Sequence, residues 1–118
     1  MTTPTLDPSG LEHLREITGG DLEFVDELID TYLDDAAGQL EAMRAAAVAG
    51  DAAAMVRPAH SLKSTSANVG ATALVELCRA LEADGRSGAV PDAVDRVADC
   101  DRAFDDARTA LLAERTGR

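Results

Sequence analysis

Apolar residues recur every three to four positions through most of this chain, and Gly or Pro interrupts the rhythm between segments. That periodicity predicts five helices. Asp7-Pro8 reads as the first start, a carboxylate at the N-cap followed by proline in the first turn. Leu11, Leu14 and Ile17 follow at helical spacing, and Gly19-Gly20 stops the segment. Asp21 then caps a long helix whose apolar stripe is Leu22, Val25, Ile29, Tyr32, Ala36, Leu40, Met43 and Ala47, ended by Gly50. Asp51 caps a third helix that runs through His60 to about Val69 and Gly70. Pro58 lies inside it, which predicts a kink or break near Ala54–Arg57. A fourth helix carries Leu74, Leu77, Cys78 and Leu81 and stops around Gly85–Gly88. Pro91 is expected to open the fifth, with Val94, Val97, Phe104, Ala107, Leu111 and Leu112.

Short connections between helices of similar length imply antiparallel neighbours. The expected fold is all-α: an up-down-up-down four-helix bundle with the short first helix lying across one end. Residues 1–6 read as a flexible tail, 7–115 as one domain, and 116–118 as a frayed end. The composition agrees, since 46 % of the residues are hydrophobic but only 3 % aromatic, much of the rest being alanine. Small side chains suit closely approaching helices better than a sheet.

The net charge is −11, against the basic stripe that nucleic acid requires and against an anionic membrane surface. No basic segment precedes an apolar run, and no apolar stretch is long enough to span a bilayer, so the expected location is cytoplasmic. Cys78 and Cys100 fall in helical patterns without CxxC spacing. Buried reduced thiols are the favoured reading, with a disulfide left open.

The chemistry concentrates in Ala59–Ala71. On a helix, Met55, Ala59, Leu62, Ser66 and Val69 cluster as the core face, and His60 lies roughly 140° from its middle. Around this outward-looking imidazole fall Val56, Arg57, Lys63, Ser64 and Ala67. A lone surface histidine is usually incidental. Here Lys63 stands one turn away, where an ammonium can neutralise an anion held on the ring. Ser64 and Ala67 are small and leave a shallow landing place for a partner. A neutral imidazole is both a nucleophile and a good leaving group. The Lys63 charge is expected to disfavour the imidazolium. The ring nitrogen remote from the backbone projects farthest and is the expected site of modification.

The segment resembles the signature of histidine-containing phosphotransfer (HPt) domains: His60, Leu62, Lys63, a small residue at Ser64, then Gly70-Ala71. The resemblance extends to Gly19-Gly20-Asp21, Gly50-Asp51 and Leu77-Cys78-Arg79-Ala80-Leu81-Glu82, and so covers about Leu6 to Leu112. It implies an intermediate that accepts a phosphoryl group on His60 from a receiver-domain aspartate and passes it to another receiver domain, with Lys63 as the family's cation. It also implies a hybrid sensor histidine kinase upstream and Mg²⁺ supplied by the receiver. The chain itself is expected to bind no cofactor or metal and to work as a monomer. Ser64 replaces the commoner glycine, and Pro58 is unusual so near the histidine.

Other readings are weaker. His13 lies on the polar side of the first helix. The hydroxyls of Ser64–Ser66 lack a second base and an orienting residue, and suit small packing and contacts near the phosphoryl site. Glycine and arginine, not glutamate, stand three residues before His13 and His60, against a di-iron bundle. No P-loop or kinase-type glycine loop is present, so autonomous ATP-dependent phosphorylation is not expected. Two rival readings are a bundle that binds signalling partners without accepting phosphate, and a segment of a larger hybrid kinase.

Overall fold

Aspartates start three of the helices. The Asp7 carboxylate accepts from the Ser9 backbone N–H, Asp21 from those of Glu23 and Phe24, and Asp51 from that of Ala54. Each satisfies donors that the first helical turn leaves open. Gly50 and Gly88 close the second and fourth helices in the left-handed conformation, at φ 66° and 97°, which glycine adopts without strain.

The structure is a computed structural model that describes residues 6–116, with side chains through Glu114. The described residues form α1 (Pro8–Ile17), α2 (Leu22–Ala49), α3 (Ala52–Asn68), α4 (Thr72–Ser87) and α5 (Ala93–Thr116). The α3 helix packs between α2 and α4, and α5 closes the ring against both. With such short turns the four long helices alternate in direction, giving the expected bundle. At 28 residues, α2 runs nearly the full 43 Å of the molecule.

The first helix crosses the end that holds the α3–α4 turn. Asp7 N–H donates to Gly70 O at 2.7 Å, and Gly10 packs so tightly that a Cβ there would meet Gly70 N at 2.4 Å. Arg15 ties the helix to Glu114 of α5 at 2.6 Å. The core contains Ile29, Met43, Met55, Leu62, Leu74, Leu81, Val97 and Leu111. Within it the Tyr32 and Ser66 hydroxyls share a hydrogen bond of 2.8 Å, and Tyr32 tilts against Phe104 with ring centroids 6.2 Å apart. Burial pushes the Tyr32 phenol up to about 12.

Several expectations need correction. Helix α3 runs unbroken through Pro58, which is buried, so of the expected kink or break the break does not occur, and packing holds the helical path through the proline. Ile17, Leu22 and Val94 are exposed rather than part of the buried stripes. Each sits in the first or last turn of its helix, where the neighbouring helices no longer cover it. Pro91 does not open α5: it forms a turn with Asp92, whose φ is 54°, and the helix begins at Ala93. Leu6, assigned to the tail, is half-buried and packs on the core. Residues 1–5 and 117–118 lie outside the described part, and Thr116 is the last residue of α5.

Cys78 and Cys100 are both free and buried. The Cys100 thiol beside it and burial together push the Cys78 thiol up. No helix among the described residues is long and apolar enough to cross a membrane.

Candidate functional site

Antiparallel packing about the turn at residues 69–71 brings the middle of α3 level with the second half of α4. The approach is close because of Gly85: a Cβ there would stand 2.9 Å from Ala52 O and 2.9 Å from Val56 Cγ2. One turn from this contact, His60 and Glu82 face each other across the two helices.

The His60 side chain is 54 % exposed, as the helical pattern predicts, while that of Glu82 is only 8 % exposed. The His60 Nδ1 lies 3.0 Å from Glu82 Oε2. An ionised carboxylate can only accept, so the ring donates through Nδ1–H. That fixes the tautomer in which Nε2 carries the lone pair, and the structure gives Nε2 no partner among the described residues.

A buried charge is costly unless it is paired. Glu82 is paired on both oxygens. Lys63 Nζ stands 2.6 Å from Oε1, and the Arg86 guanidinium donates to Oε2 through Nη2 at 2.8 Å and Nε at 3.2 Å. Lys63 and then Arg86 hold the carboxyl at about 2, against the upward push of burial. The expectation of Lys63 as a charge acting on the ring therefore needs revision: the ammonium is present beside His60, but a carboxylate already balances it.

The other residues fall largely where helical geometry places them. Arg57, Ser64 and Ala67 are exposed on the same side of α3 as His60, and Val56 is half-buried under Gly85. Of the hydroxyls following His60, that of Ser64 stays on the imidazole's side of the helix, while two others are engaged elsewhere. Ser66 is committed to Tyr32 in the core, and Thr65 donates to the Ser61 carbonyl of its own helix at 3.1 Å. His13 is exposed and lines a groove of about 300 Å³ with Ile17, Leu28, Asp35, Thr65 and Asn68, where α1, α2 and α3 meet.

Glu82 and Arg86 are the site residues that pattern reading did not single out. A signal was present: Glu82 stands four residues after Cys78, on the stripe that Leu74, Cys78 and Gly85 bury. An acid at a core position asks for a cation, and Lys63 and Arg86 supply it.

The family model described as Hpt domain matches residues 27–114. No curated protein sequence matches significantly. Among solved structures, the chain is similar to the crystal structure of histidine-containing phosphotransfer protein B (HptB) from Pseudomonas aeruginosa PAO1. The TM-score is 0.89 at 32 % identity, covering 99 % of this chain and 99 % of that one. A shared helical bundle, a family match over most of the sequence and an exposed histidine with its own buried counter-charge agree: the chain belongs to the Hpt domain family, the histidine-containing intermediates of two-component phosphorelays.

Proposed function

We propose that His60 carries the phosphoryl group on Nε2, accepting it from the aspartyl phosphate of one receiver domain and passing it to the aspartate of another. The observation that supports this most is the pairing of an exposed imidazole with a buried carboxylate through Nδ1, which aims the nucleophilic nitrogen at solvent. Loading a dianion onto Nε2 calls for positive charge nearby. Lys63 and Arg86 provide two cations against the single Glu82 carboxylate. Phosphoryl transfer passes through a loose transition state, so positioning and neutralisation of this kind are most of what a carrier must supply.

The docking face centres on His60, Arg57, Ser64 and Ala67, with Val56 and Lys63 at its half-buried edge. The groove between α2 and α3, which reaches α3 at Thr65 and Asn68, extends that face toward the long helix. Small side chains at Ser64 and Ala67 let a receiver surface approach the ring. Mg²⁺ belongs to the receiver: beside His60 the carboxylate that could hold it is already engaged by Lys63 and Arg86. The chain acts as a monomeric cytoplasmic carrier, loaded and unloaded by receiver domains and fed by a hybrid sensor histidine kinase, with no ATP chemistry of its own.

Incubation with a phosphorylated receiver domain tests the assignment. Label should move onto this chain as acid-labile, base-stable phosphate and be lost in His60→Gln. Undiminished labelling of the folded His60→Gln protein would refute the role of His60.

A further inference from the structure

Oxygen Oε2 of Glu82 serves two donors, His60 Nδ1 at 3.0 Å and the Arg86 guanidinium at 2.8 Å. On the reading that His60 is the carrier, we infer that Glu82 keeps the proton on Nδ1 of the phosphorylated ring and so poises this chain to surrender its phosphoryl group rather than store it. The unphosphorylated ring has no need of a charged acceptor to be nucleophilic; a neutral amide would select the same tautomer. A buried carboxylate is a costly means of doing so. Its charge matters most after loading, when the ring with Nδ1–H bears a positive charge.

The transfer step shows why. A receiver carboxylate oxygen attacks phosphorus, the P–Nε2 bond breaks, and its electron pair returns to Nε2. With Nδ1 protonated the leaving group is neutral imidazole, charge is conserved, and no further proton is required. With Nδ1 bare the leaving group is an imidazolate, and departure waits for a proton from elsewhere. A carboxylate in direct contact, within a partly desolvated pocket, favours the protonated form.

The surrounding charges set the opposing terms. Arg57 and Lys63 from α3 and Arg86 from α4 all disfavour a positive ring, and Arg86 also competes for the same oxygen. On α2, the other long helix packed against α3, Asp35 and Glu41 are exposed, and Glu41 is paired with Arg44. Substitutions at Glu82 and Arg86 should therefore act in opposite directions, which loosening of the α3–α4 contact cannot reproduce.

The experiment loads the full chain with phosphoramidate, follows the ring by ¹⁵N and ³¹P spectroscopy across pH, and then adds a receiver domain with Mg²⁺. The wild-type Nδ1 should titrate at higher pH than phosphohistidine in an unstructured peptide. In Glu82→Gln the midpoint should fall by about one unit and transfer near neutral pH should slow about tenfold. In Arg86→Gln both should move the other way. A wild-type midpoint equal to the peptide's, an unchanged Glu82→Gln, or two variants that shift in the same direction would overturn the inference. If wild-type His60 takes up no phosphoryl group, the carrier role fails first and this inference with it.

Discussion

The Lys63 ammonium lies 2.6 Å from Glu82 Oε1, so the cation beside His60 is engaged with a buried carboxylate before any phosphoryl group arrives. Lys63 serves two tasks at once: it neutralises a charge the fold has buried, and it stands near an imidazole open to solvent. Function and stability are coupled through one side chain.

Lys63→Ala should therefore fail twice. Transfer should slow by about tenfold to a hundredfold, the range expected when one charge-assisted contact to phosphate is lost. Stability should fall by about 1–3 kcal/mol, because one Glu82 oxygen loses its counter-charge. Transfer rates and urea unfolding measured on the same preparation check both. Lost transfer with unchanged stability would place the Lys63–Glu82 contact outside the fold's energetics.

The low value of Glu82, about 2 against an ordinary 4.5, makes stability depend on pH. A carboxyl lowered by folding contributes stability that is fully present above its unfolded value and is lost as pH falls through its folded one. Between about pH 4.5 and pH 2, unfolding should become easier, and Glu82→Gln should flatten that part of the profile. Urea midpoints across this range measure the difference.

Gly85→Ala sets two effects against each other. Alanine favours a helix interior over glycine by up to about 1 kcal/mol. The new Cβ would stand 2.9 Å from the Ala52 carbonyl oxygen, backbone that cannot step aside cheaply. Overpacking of this kind costs about 1–3 kcal/mol, so the substitution should destabilise on balance. It should also part α3 from α4 and weaken the His60–Glu82 bond, visible as a changed His60 ring spectrum.

Much of this arrangement is legible in the chain. Asp7, Asp21 and Asp51 before apolar stripes, and Gly50 after one, mark helix ends by local chemistry that packing does not override. His60 reads as outward because Met55, Ala59, Leu62 and Ser66 claim the opposite face. What escapes is whatever depends on the register between two helices. Glu82 reads as one more acid in an acidic protein until α3 is laid beside α4 at the distance Gly85 allows. Ile17, Leu22 and Val94 continue their stripes in sequence but overrun the ends of the bundle in space. Pro58 breaks a helix in isolation, and burial against neighbours holds it.

Ser66 gives a check on the core that leaves the imidazole untouched. Its hydroxyl shares a 2.8 Å bond with Tyr32 inside the bundle. Ser66→Ala should cost about 1–3 kcal/mol by leaving the phenol unpaired, and adding Tyr32→Phe should recover part of that loss. A double-mutant cycle by urea unfolding would show the coupling.

Locating the phosphoryl group atom by atom tests the central claim most directly. The ¹⁵N-histidine-labelled protein, phosphorylated and examined by ¹⁵N–³¹P correlation, should show a single phosphohistidine coupled through Nε2 of His60, with His13 unchanged. Phosphorus on His13, on a serine, or on Nδ1 of His60 would contradict it.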